Sequence, residues 1–232
     1  FVNISSNHVF AYHKMMALED IRSERVKKLT ALRNAGMDPY PADTVRTHTL
    51  AQAREKFAAL AKSGKEIVLV GRVMARREHG GSLFFDLSDG SAVFQAYAKK
   101  DVLGKERYVL FINTVDIGDF VEVRGALFAT KKEEKTMEAH GWAMLAKSLL
   151  PLPEKWHGLQ DVEERFRKRY LDILMNTEVR QRFEARSRII AFIRRWHEER
   201  GFLEVETPIF HPIPGGTLAT PFITHHHALD ID

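Results

Sequence analysis

The amino-acid sequence predicts an α+β fold, in which helices precede and follow a central run of short strands. Residues 18–35 and 49–63 repeat apolar side chains at helical spacing. Residues 66–149 instead form short stretches rich in Val, Ile and Phe, separated by glycine turns. Helical spacing returns over residues 162–200, and Gly201 follows as a stop signal.

The composition is that of an ordinary globular chain. Its 232 residues are 44% hydrophobic and 28% charged, enough for one large domain or two small ones. No apolar run approaches the ~20 residues of a bilayer-spanning helix, so we expect no membrane segment. The chain has no Cys, which excludes disulfides and thiolate zinc sites and suits a reducing cytosol. The net charge is +4, and basic residues cluster at 72–77 and 165–169. Two interpretations of these clusters stay open: that they contact phosphates, or that they form a solvated surface without a ligand.

The amino-terminal residues differ from the rest of the chain. Residues 1–14 lack an initiator Met, apolar periodicity and the features of a secretory signal. We therefore expect residues 1–15 to be upstream or non-native sequence, with the natural start at Met15 or Met16. A genuine amino-terminal extension is the alternative.

Residues 16–64 form a predicted helical segment. Thr49 and Gln52 make a capping box for its second helix, and Gly36 and Gly64 end its two helices. Four apolar side chains of the first helix keep roughly helical spacing: Leu18, Ile21, Leu29 and Leu32. The inner face of the second helix is expected to carry Leu50, Ala53, Phe57 and Leu60.

Five strands and one helix are predicted in the domain at residues 65–150. The strands are expected at 66–78, 82–89, 92–98, 119–130 and up to about 149, with a helix at 105–113. Gly71 predicts a bulge or a bend in the first strand. Three strands, a helix and two strands are the order of an OB-fold, a small barrel that commonly binds oligonucleotides or oligosaccharides. Glycines within its long strands suit the sharp bends of such a barrel.

Residues 151–176 read as a linker that leads to a second domain at 177–232. Prolines interrupt the start of the linker, and helical spacing follows. After Gly201 the sequence alternates as an extended segment until Pro208, which cannot donate to a sheet ladder.

Several phrases of this second half resemble bacterial-type lysyl-tRNA synthetase. They are PLPEKWHGLQDVEERFRKRYLDILMN at 151–176, GFLEVETPIF at 201–210 and THHHALD at 224–230. The second phrase is similar to the first signature motif of class II aminoacyl-tRNA synthetases, and the third to the family's THHNALD. The resemblance covers about residues 18–232, and several phrases agree in order and spacing.

The resemblance implies a function and a fold. Residues 177–232 would begin a class II catalytic domain built on an antiparallel sheet. The family uses ATP and Mg²⁺ to convert lysine to lysyl-adenylate, then transfers the lysyl group to tRNA(Lys). It implies a cytoplasmic homodimer. In the family, motifs 2 and 3 lie beyond motif 1, and no segment here replaces them. We therefore expect no catalytic residue within this chain and no adenylate formation by this chain alone.

The resemblance also assigns anticodon-binding residues on the barrel. Phe84 would stack on a base and Gln95 would read a base edge, while Arg77 and Arg72 would contact the backbone or a base. Glu134 would help to read the anticodon, although Glu133 stands where the family has Gly. The alternatives are a buried Phe84, exposed arginines without a ligand, and a Glu134 that is only solvated charge.

In the second domain the resemblance places Gly201 and Pro208 at the dimer interface and Gly215 and Gly216 near the lysine pocket. A tight turn explains a glycine pair equally well. The histidine run at 225–227 is not expected to bind metal, because only two of the three share a face of an extended segment.

Three other functions remain open from the sequence. An aspartyl- or asparaginyl-tRNA synthetase fragment shares the barrel and motif 1, although the 151–159 and 224–230 phrases favour lysine. A non-catalytic tRNA-binding or regulatory protein would keep the barrel alone. A general single-stranded nucleic-acid module leaves residues 151–232 unexplained.

Overall fold

The computed structural model describes residues 6–153, 159–209 and 222–230. The chain divides into two compact units, Phe1–Glu154 and Lys155–Asp232, which are described separately below. The finer domain boundaries given above stay predictions. The first unit contains, in order, α1 (Ser6–Asn34), α2 (Leu50–Glu55), α3 (Phe57–Ser63), β1 (Ile67–His79), β2 (Ser82–Ser88), β3 (Val93–Lys99), α4 (Lys100–Leu103), α5 (Lys105–Thr114), β4 (Phe120–Ala129) and β5 (Lys135–Ala146).

The five strands close into a barrel in the order β1-β2-β3-β5-β4. All neighbouring pairs are antiparallel except β3 and β5, which run parallel. Closure leaves no free sheet edge. The α+β class and the five-stranded barrel predicted from the sequence are confirmed.

The core lies inside the barrel and is closed at one end by α5. Alternate residues of β2, namely Leu83, Phe85 and Leu87, are fully buried. The ring of Phe111 on α5 packs 4.9 Å from the ring of Phe85 and 4.9 Å from that of Trp142. These three rings join the helix to both sides of the barrel.

Two glycines of the barrel strands lie where a neighbouring strand approaches closely. A Cβ at Gly71 would lie 3.0 Å from the Cβ of Leu87, and one at Gly125 would collide with the carbonyl oxygen of Glu138. The strand β1 is regularly paired at Gly71, and its irregularity lies between Val73 and Ala75. The bulge predicted at Gly71 is therefore wrong, because this glycine is required by a neighbouring strand, while the bend stays a prediction. The pairing of β4 with β5 is irregular next to Gly125.

The first helix is longer than predicted, and its apolar repeat is buried only in part. It begins at Ser6 and ends before Gly36, which has a positive φ of 73°. Leu32 is fully buried and Leu29 nearly so, but Ile21 is 39% exposed. The buried part of the repeat therefore lies in the carboxyl-terminal turns of α1.

The predicted capping box at Thr49 is confirmed. The side chain of Thr49 accepts from the backbone N–H of Gln52, and the Gln52 side chain accepts from the backbone N–H of Thr49. The predicted single helix is divided at Lys56, whose φ of −89° and ψ of 14° separate α2 from α3.

A buried ionic cluster fixes α1 to one end of the barrel. It comprises five charged side chains: Arg25, Lys28, Asp116, Asp119 and Lys147. The Lys147 Nζ donates to Asp116 at 2.6 Å and to Asp119 at 2.7 Å, and the side chains of Lys147 and Asp119 are fully buried. Arg25 donates to the carbonyl oxygens of Ile117, Ser148 and Leu150. Every buried charge in the cluster therefore has a partner of opposite charge or a carbonyl, as burial demands.

The second unit contains three helices, α6 (Val162–Arg167), α7 (Arg169–Met175) and α8 (Thr177–Glu198). Asp172 is fully buried between them and accepts from Arg165, Arg169 and Asn176 at 3.0, 2.6 and 2.6 Å. Burial alone would raise the pKa of Asp172, but these donors hold it below its usual value. Residues 202–208 form neither a helix nor a strand, and a bend follows at residue 209.

Candidate nucleic-acid interface

Strand alternation decides which aromatic side chain of β2 faces outward. Phe85 points into the barrel and is fully buried, so its neighbour Phe84 lies on the outer surface and is partly exposed. On β3 the same alternation places Gln95 and Tyr97 outward. These residues, with Arg77 and Asp86, form what we call the β2–β3 face.

Cross-strand register brings the members of the β2–β3 face together. Arg77 stands opposite Phe84, and Phe84 stands opposite Tyr97. The Phe84 and Tyr97 ring centroids are 4.6 Å apart, with the rings tilted by 37°. Phe128 of β4 packs edge-on at 6.1 Å from Tyr97. The outcome is a row of three aromatic rings on the outside of the barrel.

The sequence interpretation missed Tyr97 and Phe128. Alternation within residues 92–98 already placed Tyr97 on the same side as Gln95, two positions away. No such pattern indicated Phe128. It lies on β4 and comes near Tyr97 of β3 only because β5 pairs with both strands when the barrel closes.

Arg77 is both paired and accessible. Its two terminal nitrogens donate to the two carboxylate oxygens of Asp86 at 3.2 and 3.0 Å, and its side chain is 48% exposed. A guanidinium has five N–H donors, so three remain beyond this pair. Arg77 can therefore bind a phosphate or a base edge while Asp86 fixes its position.

Gln95 is joined to β5 through Thr136, a side chain that the sequence did not single out. The Thr136 hydroxyl donates to Gln95 Oε1 at 2.9 Å and also lies 3.1 Å from the backbone carbonyl oxygen of Glu134. Thr136 itself is fully buried. The Gln95 amide nitrogen has no hydrogen-bond partner among the described residues.

The loop between β4 and β5 carries Glu134 on a tight turn. The Glu133 N–H donates to the Thr130 carbonyl at 2.8 Å, and the Thr130 N–H donates to the Glu134 carbonyl at 3.0 Å. Glu133 adopts a φ of 60°, the left-handed conformation that favours Gly. Glu134 lies beside Thr136 at the edge of the β2–β3 face, and its side chain is exposed.

Arg72 lies apart from this face. Its guanidinium donates to the Gly118 carbonyl at 2.8 Å and sits 4.2 Å from the centroid of the Phe120 ring. Burial lowers the pKa of Arg72, and the charge of Asp119 opposes this shift. The structure brings together Phe84, Gln95, Arg77 and Glu134, but not Arg72, whose role in binding stays a prediction.

The residues singled out in the second unit are described only in part. Gly201 has a φ of 81°, and the Phe202 N–H donates to the His197 carbonyl, so Gly201 ends α8 in a conformation that suits glycine. Pro208 lies in the segment 202–208, which forms neither a helix nor a strand. Gly215 and Gly216 lie outside the described residues.

No metal site or membrane span is found in the described part of the chain. The His225 and His227 rings are 5.0 Å apart, but no group of three or more metal-ligating side chains occurs among residues 6–153, 159–209 and 222–230. Within the same ranges, no helix combines the length and hydrophobicity that a bilayer crossing requires.

Comparison with protein-family models gives two matches. Residues 67–145 match the OB-fold nucleic acid binding domain, and residues 161–231 match the class II tRNA synthetases of the D, K and N type. The first match covers all of the barrel except the last residue of β5, and the second covers α6 to α8 and the residues that follow.

Curated relatives agree with both matches. The chain is 49% identical over 219 residues to the lysine–tRNA ligase of Moorella thermoacetica, which covers 94% of this chain and 44% of that protein. The corresponding protein of Carboxydothermus hydrogenoformans is 47% identical over 214 residues, covering 92% and 43%. That of Halalkalibacterium halodurans is 44% identical over 221 residues, covering 93% and 44%. The chain thus spans somewhat under half the length of these relatives. Over the matched residues the chain is homologous to these lysine–tRNA ligases, and it contains an OB-fold nucleic-acid-binding region followed by a region that matches the class II tRNA synthetases.

Proposed function

We propose that the barrel binds the anticodon loop of a lysine tRNA on its β2–β3 face, with the β4–β5 loop at the border. The observation that carries the proposal is the register of three side chains on three strands. The outward ring of Phe84 stands between Arg77 and Tyr97, with Gln95 beside it on β3. An OB-fold commonly binds oligonucleotides on strands 2 and 3 and on its β1–β2 and β4–β5 loops.

Each of these side chains has a distinct chemical role in the proposal. Phe84 offers a base a stacking surface worth about 1–3 kcal/mol. Tyr97 supports that ring from the side. Gln95 forms hydrogen bonds with the edge of the stacked base, and Arg77 contacts a phosphate or a neighbouring base. Glu134 accepts from an exocyclic amino group or a ribose hydroxyl.

The whole-protein reaction is also part of the proposal. The relatives are lysine–tRNA ligases, so we propose that this chain serves the ATP- and Mg²⁺-dependent charging of tRNA with lysine, in the cytoplasm. Gly215 and Gly216 are proposed to lie near the lysine, and Gly201 and Pro208 at a homodimer interface. No described residue is proposed to hold ATP or Mg²⁺, since the described residues include no metal-ligating cluster.

A binding titration tests the anticodon proposal. The full 232-residue chain is titrated with anticodon stem-loops of lysine, aspartate and asparagine tRNAs at two salt concentrations. Phe84→Ala is the test variant. Phe192→Ala is the matched control, because Phe192 is an exposed aromatic residue of α8 for which no role in binding is proposed.

We expect the wild-type chain to prefer the lysine loop and Phe84→Ala to weaken that binding by about tenfold, as loss of one stacked base predicts. Phe192→Ala should keep wild-type affinity. A preference for the aspartate or asparagine loop would assign the chain to one of those activities instead. Equal binding of all loops with a steep salt dependence would leave only a phosphate-binding surface and would contradict anticodon recognition.

A further inference from the structure

We infer that Thr136 is a positioning residue that determines which hydrogen-bonding group Gln95 presents to a base. This inference rests on the proposed function, because it assigns a specificity determinant within the same surface. Thr136 is fully buried, so it does not itself contact a ligand. It acts through the side chain that it holds.

The argument begins with the single hydrogen of the Thr136 hydroxyl. Two acceptors lie within its reach, Gln95 Oε1 at 2.9 Å and the Glu134 carbonyl oxygen at 3.1 Å. One hydroxyl hydrogen makes one strong hydrogen bond at a time. The Glu134 carbonyl already accepts from the Thr130 N–H at 3.0 Å, whereas Gln95 Oε1 has no other donor among the described residues. The Thr136 hydroxyl therefore donates to Gln95 Oε1 in preference to the Glu134 carbonyl oxygen.

This hydrogen bond fixes the direction of the Gln95 amide. With Oε1 held by Thr136, the NH₂ group has no partner among the described residues and is left as the group that a ligand would meet. If the amide were reversed, its nitrogen would donate to Thr136, the hydroxyl would turn to Glu134, and an amide oxygen would face outward. The hydroxyl thus selects between a donor and an acceptor at the binding surface.

That choice distinguishes the two pyrimidines of RNA. Uracil presents a carbonyl oxygen at position 4, whereas cytosine presents an amino group there. An outward NH₂ donates to the uracil oxygen but meets the cytosine amino group donor against donor. We infer that Thr136 makes Gln95 favour uracil over cytosine. The same hydroxyl couples this choice to the β4–β5 loop, because its second acceptor is the backbone of Glu134.

The test compares two variants at one position. Thr136→Val keeps the shape and removes the hydroxyl, while Thr136→Ser keeps the hydroxyl. Thr114→Val is the matched control, because Thr114 is also buried, at 1% exposure, and its hydroxyl donates to the Leu110 carbonyl within α5. The full chain is titrated with two lysine anticodon stem-loops that differ only in uracil or cytosine at the central base.

We expect Thr136→Val to lower the ratio of uracil-loop to cytosine-loop affinity by about fivefold, the size of one net hydrogen bond. Thr136→Ser and Thr114→Val should keep the wild-type ratio. In a Gln95→Ala background, Thr136→Val should change the ratio no further, because the residue acts only through Gln95. A folded Thr136→Val variant that keeps the wild-type ratio, or that loses affinity for both loops equally, overturns the inference.

Two readouts separate this inference from the function on which it rests. Phe84→Ala in the same titration tests the binding surface itself, independent of the uracil preference. In the free chain, nuclear Overhauser contacts of the Gln95 side-chain NH₂ report the amide direction without RNA. Weak contact with Thr136 supports the outward NH₂, and strong contact means a reversed amide and overturns the inference even if the anticodon proposal holds.

Discussion

Replacement of Lys147 by Met should destabilise the barrel unit more than any surface charge change. The Lys147 ammonium is fully buried and bonds to Asp116 and Asp119 at 2.6 and 2.7 Å. Met matches its length, so the variant removes the charge and leaves most of the packing. Two carboxylates then remain in the barrel end without their shared cation.

The size of the loss follows from the partners that remain. Asp119 still accepts from the backbone N–H groups of Asp116 and Ser148 at 2.7 Å each, and Asp116 keeps Lys28 at 2.5 Å. Because these partners remain, we expect the free energy of unfolding to fall by about 3 kcal/mol. This is near the lower end of the roughly 3–5 kcal/mol that breaking a buried ion pair costs. With a urea m value of about 1.5 kcal/mol/M, the unfolding midpoint should fall by about 2 M.

Urea unfolding followed by tryptophan fluorescence measures this loss. Trp142 is 5% exposed and packs against Phe111 in the barrel core, so it reports on the barrel when Trp156 and Trp196 are replaced by Phe. Lys99→Met is the control, because Lys99 is 46% exposed and lies 3.5 Å from Asp101, a pair worth about 0.5 kcal/mol or less. Equal midpoints for the Lys147 and Lys99 variants would refute the assignment of stability to the buried ionic cluster.

Three further predictions concern the β4–β5 loop and the buried carboxylates. Glu133→Gly should raise the free energy of unfolding by about 1 kcal/mol, since Glu133 has a φ of 60°, while Glu133→Ala should bring no such gain in the same urea experiment. Exposed Lys131 and Lys132 should act on phosphates alone, so replacing both by Ala should reduce the salt slope of stem-loop binding by about 1.4, at about 0.7 for each lost phosphate contact on a single strand. This loss should be equal for all three loops, and an unequal loss would contradict it. The pKa values of Asp116 and Asp172 are lowered by folding, so their stabilisation is complete above the unfolded value of about 4 and is lost as the pH falls through their folded values. Unfolding free energies at pH 5 and pH 3 measure the effect, and an Asp116→Asn variant that kept the full wild-type difference would contradict the role of Asp116.

Local patterns predicted the elements of this chain well, because the elements depend on short-range chemistry. The capping box at Thr49 needs only a residue three positions away. The alternation of β2 likewise decides that Phe84 faces outward once Phe85 is buried. The order of strands and helix was enough to indicate the barrel.

The features that the sequence did not predict depend on contacts between distant segments. Arg25 looks like one more surface charge of a helix, yet its acceptors are carbonyls 92 to 125 residues away. Gly71 looks like a bulge signal, but the residue that requires it is Leu87 on the next strand. Thr136 is an ordinary strand residue until parallel pairing sets it beside Gln95. Each of these roles arises only when the barrel closes.

The positions of the candidate residues divide them into two groups. One group is expected to determine the affinity for RNA, and the other the selectivity among RNA sequences. Phe84, Gln95 and Thr136 lie on paired strands whose opposite face is the buried core, so their positions are rigid. Lys131 and Lys132 instead lie on a turn that is held by two backbone hydrogen bonds and has no core beneath it. A base edge is read only when donor and acceptor are fixed within a few tenths of an ångström, whereas a phosphate tolerates a mobile charge. Changes in residues 131–133 should therefore alter how tightly RNA is held, and changes in the strand residues should alter which RNA is held. The Glu134 carbonyl connects the turn with the strand residues. It borders the turn, and its oxygen lies within hydrogen-bonding distance of the Thr136 hydroxyl that orients Gln95.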